Sequence, residues 1–191
     1  MTLVLASSSP RRREILSSLG VEFEVVVPEV EEISEGDPER AVLQNARRKA
    51  LAGHAAAGPG ATTLGVDTEV VLEGRMLGKA ADPAGARKRL GELSGRTHSV
   101  LSGVVVLSEG PGGDGPGERS GLARSQVTFR ELDRATVDSY IASGEWRDRA
   151  GAYAIQGLGS MLVERVEGDF SNVVGLPVGL LLELAPELRS A

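Results

Sequence analysis

The chain has no cysteine, 3% aromatic residues and only three lysines (Lys49, Lys79 and Lys88) among its 21 basic residues. Without cysteine there are no disulfides, no thiolate nucleophile and no cysteine-based zinc site, which suits a reducing cytosol. The two histidines, His54 and His98, have no metal-ligand spacing, and a structural role is expected for both. No run of eighteen apolar residues exists, nor a basic leader followed by a long apolar stretch, so the expectation is a soluble cytoplasmic protein with no membrane partner. Net positive charge is missing too: 27 carboxylates stand against 21 Lys plus Arg, which argues against a non-specific nucleic-acid binder. Neither a Walker A sequence, a spaced dinucleotide glycine fingerprint nor a Gly-x-Ser-x-Gly elbow is found. At 191 residues, one domain spanning 1–191 is expected, with one core or two lobes around a cleft.

Against this background Ser7-Ser8-Ser9-Pro10-Arg11-Arg12-Arg13 stands out. Ser9 suits an N-cap and Pro10 a first helical position, so a helix is predicted from Pro10 to Leu19, closed by Gly20. Three arginines then fall in its first turn, where the helix already presents partial positive charge and unpaired N–H groups. Such a turn is at ease with a bound anion. Serine hydroxyls, backbone N–H groups and guanidinium forks after the apolar strand Leu3–Ala6 are what a phosphate ester requires. A solvated arginine cluster is the alternative.

The same cap-plus-proline device recurs at Asp37-Pro38 and Asp82-Pro83, predicting helices from Pro38 to about Leu51, ended by Gly53, and from Pro83 to a stop before Gly95. Strands are predicted at Glu22–Val27, Thr62–Val66, Thr68–Leu72, His98–Leu107 and Ala123–Phe129, with a flexible loop at about 109–121. Asp133 caps a further helix through Ile141, and a last one follows Pro177. Helices and strands mix without strict alternation, so the fold class is α/β with a mixed twisted sheet and flanking helices.

Asp67, in Leu64-Gly65-Val66-Asp67-Thr68, is a carboxylate between apolar strand segments, costly to bury without a partner. It marks an active or metal site, or a turn between strands. Alternation puts Glu69 on its face. The acidic cluster Glu29, Glu31, Glu32, Glu35, Asp37 and Glu39 is mostly solvated charge, yet one loop glutamate opposite Asp67 would complete a magnesium–nucleotide site. Lys49 and Lys79 are candidate phosphate contacts. Gln156, in a glycine-rich turn near Trp146 and Tyr153, can donate and accept toward a base edge, or the turn is a tight connection with the aromatics in the core.

Together, Leu5-Ala6-Ser7-Ser8-Ser9-Pro10-Arg11-Arg12, Asp67-Thr68 with Gly78-Lys79, Leu93–His98, Ala150–Gly159 and Gly168–Pro177 resemble the ordered motifs of the Maf family of nucleoside triphosphate pyrophosphatases, historically linked to septum formation. The resemblance spans nearly the whole chain. It implies a fold related to the inosine triphosphate pyrophosphatases, two lobes about a central cleft and a homodimer. It implies Asp67 as catalytic aspartate and Glu32 as metal- or water-positioning glutamate, holding Mg2+ or Mn2+. Arg12, Lys49 and Lys79 would hold phosphates and Ser7 and Ser9 would bind substrate, while Arg11, Thr68 and Gln156 match the branch acting on dTTP, UTP and related pyrimidine nucleotides rather than 7-methyl-GTP. Glu69, where an apolar residue is more usual, and Ala80, where proline is common, depart from the pattern. The implied partners are nucleoside triphosphates, with no stable nucleic-acid complex. The rival is a nucleotide-binding regulator of cell division with little turnover.

Overall fold

A computed structural model describes residues 2–58, 60–109 and 116–190. Its centre is one mixed seven-stranded sheet in the order β2-β1-β3-β5-β6-β7, with β4 paired to β3. The strands are β1 (Thr2–Ala6), β2 (Phe23–Val26), β3 (Ala61–Leu72), β4 (Arg75–Met76), β5 (Thr97–Glu109), β6 (Pro116–Phe129) and β7 (Val163–Glu167). The β1 strand runs parallel to both β2 and β3, whereas β3, β5, β6 and β7 are successively antiparallel. Helices α1 (Pro10–Ser18), α2 (Pro38–Ala57), α3 (Pro83–Leu93), α4 (Arg134–Ser143), α5 (Phe170–Val174) and α6 (Val178–Leu184) surround it. The expected mixed α/β class is therefore the observed one.

Three differences from the sequence reading have physical causes. The α2 helix continues to Ala57 and ends at Gly58, whose φ is +80°. Gly53 is not its stop: a Cβ there would lie 2.6 Å from the Ala6 Cβ, so this glycine permits helix and sheet to touch. The segments flanking Asp67 are one strand, β3, because its continuous pairing with β5 (Thr63 opposite Leu107 through Val71 opposite Ser99) accommodates the carboxylate without a turn. The loop expected over 109–121 is already strand from Pro116, paired to Glu109. Gly121 lacks a side chain because the Leu180 Cδ1 of α6 lies 2.7 Å from where its Cβ would be. Residues 110–115 lie outside the described residues.

Apolar packing forms two principal clusters. One joins Leu3, Leu5, Leu16, Leu64, Val66, Val104 and Val106 to Leu181 of α6. The other gathers Leu90, Leu93, Val100, Phe129, Tyr140, Trp146 and Tyr153 around α3 and α4. Trp146 and Tyr153 are thus core residues, as the second reading of that segment expected. On the opposite face from Leu64, α2 lies very close to the sheet. A Cβ at Gly65 would come within 2.2 Å of the Ala46 carbonyl oxygen, and one at Gly103 within 2.5 Å of the Val42 oxygen. No helix among the described residues is long and apolar enough to cross a membrane.

Candidate active site

A cleft of about 650 Å3 is lined by the β1–α1 junction, the loop before α2, the middle of β3, the Gly78-Lys79 turn and residues 147–156. Asp67 sits on its wall, in mid-strand and only 9% exposed. The glycine two residues earlier is what lets α2 reach it. Asn45 and Lys49, one helical turn apart, both project from α2 onto this carboxylate. The Lys49 Nζ donates to Asp67 Oδ1 at 2.6 Å and pairs with Glu32 Oε1 at 2.5 Å. Asn45 donates from Nδ2 to Asp67 Oδ2 at 3.1 Å. The same amide also holds the loop that carries Glu32: its Oδ1 accepts from the Ile33 N–H at 2.8 Å and its Nδ2 donates to the Ile33 carbonyl at 3.0 Å.

Asn45 is a residue that sequence reasoning missed. It is buried beside Ala41, Val42, Ala46 and Ala50, and a polar amide on that apolar face was the available signal. Lys49, expected as a phosphate contact, lies between two carboxylates in this structure. Glu32 and Asp67 thus converge on a single cation. Among the described residues there is no group of three or more His, Cys, Asp or Glu arranged for a metal. Glu32 and Asp67 are hard oxygen donors of the kind a magnesium-like ion would take alongside phosphate oxygens and water, and in this structure the Lys49 ammonium bridges them.

The arginines of α1 divide their work. Arg12 is buried, and its guanidinium donates to the Gly175 carbonyl (2.8 Å), the Ser7 hydroxyl (2.9 Å) and the Thr68 hydroxyl (3.1 Å). Burial lowers its pKa, and the carboxylates of Asp67 and Glu32 raise it. It ties β1, β3 and the 174–175 backbone together at the cleft floor. Arg11 donates to the Val174 carbonyl at 3.0 Å and lines the cleft, whereas Arg13 is exposed and does not line it. Ser9 starts α1 with extended backbone, but its side chain makes no cap hydrogen bond; its N–H donates to Ser7 Oγ at 3.2 Å. Thr68, on the opposite face of β3 from Asp67, also shares a 2.8 Å hydrogen bond with the Ser102 hydroxyl.

Lys79 is exposed on the cleft wall, after Gly78 with φ of +59°. Gln156 is exposed on the wall as well. Glu69 shares the Asp67 face as alternation expected and lines the cleft; burial pushes its carboxyl up to about 7. Arg147 and Arg149 flank the same wall, and the sequence reading passed over both. Arg149 Nη1 is buried without a hydrogen-bond partner, and burial lowers the pKa of its guanidinium. Their signal was a charged run directly before a glycine-rich turn.

Two carboxylates with a bridging lysine, and further arginines and a lysine, thus line one cleft. A protein from Deinococcus radiodurans named dTTP/UTP pyrophosphatase is 49% identical over 183 residues, covering 95% of this chain and 90% of that one. Proteins of the same name from Thermococcus gammatolerans (44%, covering 95% and 94%) and Methylococcus capsulatus (46%, covering 99% and 90%) are similar throughout. Among solved structures, the Staphylococcus aureus Ham1 protein is similar at 16% identity and a TM-score of 0.43, over 67% of this chain and 72% of that one, too loosely to bear on the site. The family described as Maf-like protein matches residues 2–188, and the chain belongs to that family.

Proposed function

We propose that this cleft hydrolyses nucleoside triphosphates between the α and β phosphates, giving the monophosphate and pyrophosphate, with dTTP, UTP and modified pyrimidine nucleotides as substrates. The observation that carries the reading is the Asp67 carboxylate, fixed through both oxygens by Asn45 and Lys49 and open to a cleft ringed with cations. A carboxylate held in this way keeps lone pairs free to accept a hydrogen from water, so it orients and deprotonates the nucleophile without having to reorganise. Lys49 and Asn45 set its direction, and Lys49 carries Glu32 into the same space. Lys79 and Arg11 lie where they can neutralise charge building on the leaving pyrophosphate. Arg12, already committed to three protein acceptors, preorganises the Ser7–Ser9 backbone and Thr68 beside it.

Glu32 and Asp67 are the residues that would hold Mg2+ or Mn2+, which would neutralise charge at the phosphates and polarise the attacking water. Gln156 is an exposed amide available to read a base edge, and Arg11 and Thr68 line the same cleft. The wider reading is a single domain with two lobes, working as a cytoplasmic homodimer on nucleotides, with no nucleic-acid or membrane partner.

Incubating the protein with dTTP, UTP, 7-methyl-GTP and the purine triphosphates, with and without Mg2+ or Mn2+, and quantifying both pyrophosphate and orthophosphate tests this reading. Pyrophosphate in equal amount to thymidine or uridine monophosphate is expected. Diphosphate plus orthophosphate would overturn the bond assignment. Preference for 7-methyl-GTP would overturn the base assignment, and nucleotide binding without turnover would replace the enzyme with a regulator.

A further inference from the structure

Resting on the reading of Lys79 as a phosphate contact, we propose that Glu69 is a positioning residue that holds the Gly78-Lys79 turn in its working geometry. The β3–β4 ladder is short. It pairs Val71 with Met76 and Leu72 with Arg75, and its last backbone bond runs from the Leu77 N–H to the Val70 carbonyl at 2.9 Å. Beyond that point the two chains part, and the N–H groups of Val70 and Gly78 have no strand to accept them. One side-chain atom takes both: Glu69 Oε1 accepts from Val70 N–H and from Gly78 N–H, each at 2.9 Å.

The other side of the Gly78 residue is held as well. Its carbonyl accepts from the Gly151 N–H at 2.9 Å, and Lys79 forms an isolated antiparallel bridge with Ala150. Gly78 is therefore tied at its N–H by β3 and at its C=O by the 150–151 segment, while occupying the left-handed region at φ +59°. The residue that leaves this clamp is Lys79. After it comes Ala80, which has no ring to restrict its own φ, so the turn is stiffened from before the lysine rather than after it.

A second carboxylate on the face that carries Asp67, in a cleft read as taking a polyanion, is electrostatically unfavourable. Its retention is explained by what its oxygen does for the backbone. In this role Glu69 touches no substrate; it acts through Lys79.

Two features of Glu69 are separable by substitution. Glu69→Gln removes the charge and keeps an oxygen able to accept both N–H groups; Glu69→Val and Glu69→Ala remove both. Steady-state pyrophosphate release from dTTP, with thermal melts to verify folding, should show Glu69→Gln within about twofold of wild type. Glu69→Val and Glu69→Ala should lose about tenfold in kcat/KM, the scale of a misplaced binding group. In a Lys79→Ala background, itself impaired, Glu69→Val should cost almost nothing further, because the two act as one unit. Equal behaviour of Glu69→Gln and Glu69→Val, or a full additional loss in the Lys79→Ala background, overturns the proposal alone. Wild-type turnover of Lys79→Ala would remove the reading of Lys79, and this proposal with it.

Discussion

Gly65→Ala adds one methyl group where sheet and helix meet beneath the Asp67 carboxylate. The new Cβ would sit 2.2 Å from the Ala46 carbonyl oxygen, 2.6 Å from the Ala50 nitrogen and 2.7 Å from the Ala50 Cβ. Two of these are backbone atoms, so no side-chain rotation relieves the contact. Restoring ordinary contact requires α2 to retreat by about 1 Å, and the close approaches at Gly53 and Gly103 oppose that movement at two further points. Overpacking of this kind costs about 1–3 kcal/mol. The usual gain of about 0.5–1 kcal/mol from replacing glycine by alanine offsets only part of it.

The functional effect should exceed the loss of stability. Asn45 and Lys49 ride on the displaced helix, so the same 1 Å moves both donors away from Asp67; a shift of that size costs on the order of a hundredfold in rate. Urea unfolding gives the first quantity, and pyrophosphate release from dTTP by the folded variant gives the second. Gly91→Ala on α3 is the control: nothing lies within 4 Å of its added Cβ, and about 0.5–1 kcal/mol of stabilisation with unchanged turnover is expected. A Gly65→Ala protein with wild-type midpoint and wild-type kcat would refute the claim that this contact sets the site.

Two further outcomes follow from buried groups. His98 is packed against Phe129 and Tyr153, with Nε2 on the Tyr153 hydroxyl at 2.8 Å and Nδ1 buried without a partner, and burial holds its pKa down to about 4. Its folded pKa lies below its unfolded value near 6.5, so the unfolded chain binds the proton first; stability is complete above about pH 6.5 and falls as pH drops toward 4. Glu69, whose carboxyl is raised, contributes a slope of opposite sign in both wild type and His98→Asn, so the His98 contribution is read as a difference. The stability of wild type relative to His98→Asn should change with a slope approaching 1.4 kcal/mol per pH unit between 6.5 and 5, measured by urea unfolding at each pH. Arg12→Ala removes three buried donor contacts and should cost about 3 kcal/mol or more, whereas Arg13→Ala should change the thermal midpoint and turnover little.

Much of this was legible in the sequence because the signals were local. Cap-plus-proline pairs set the starts of α1, α2 and α3, and the Asp37 and Asp82 side chains accept from Arg40 N–H and Gly85 N–H as the motif implies. Asp67 announced itself as a carboxylate in an apolar run. What stayed hidden depends on packing between distant segments. Gly53 read as a helix stop because the 2.6 Å approach to Ala6 belongs to tertiary structure, not to the helix. Gly117 and Gly121 read as loop because the partner strand that orders them lies across a hairpin. The pairing of Lys49 with Asp67 and Glu32 was not visible, because those partners are 18 and 17 residues away and only the fold joins them. Asn45 was hidden for the same reason. Its amide serves a loop and a strand that meet only after α2 packs on β3.

Pyrophosphate release from dTTP by Asp67→Asn bears most directly on the reading of the cleft. The amide is nearly the same size, still offers one acceptor to Lys49 or Asn45, and leaves Lys49 paired with Glu32, so the thermal midpoint should stay close to wild type. What it loses is the base that orients and activates water. Turnover should fall by about a thousandfold or more while nucleotide binding persists. A folded Asp67→Asn protein that releases pyrophosphate at the wild-type rate would contradict Asp67 as the centre of the chemistry.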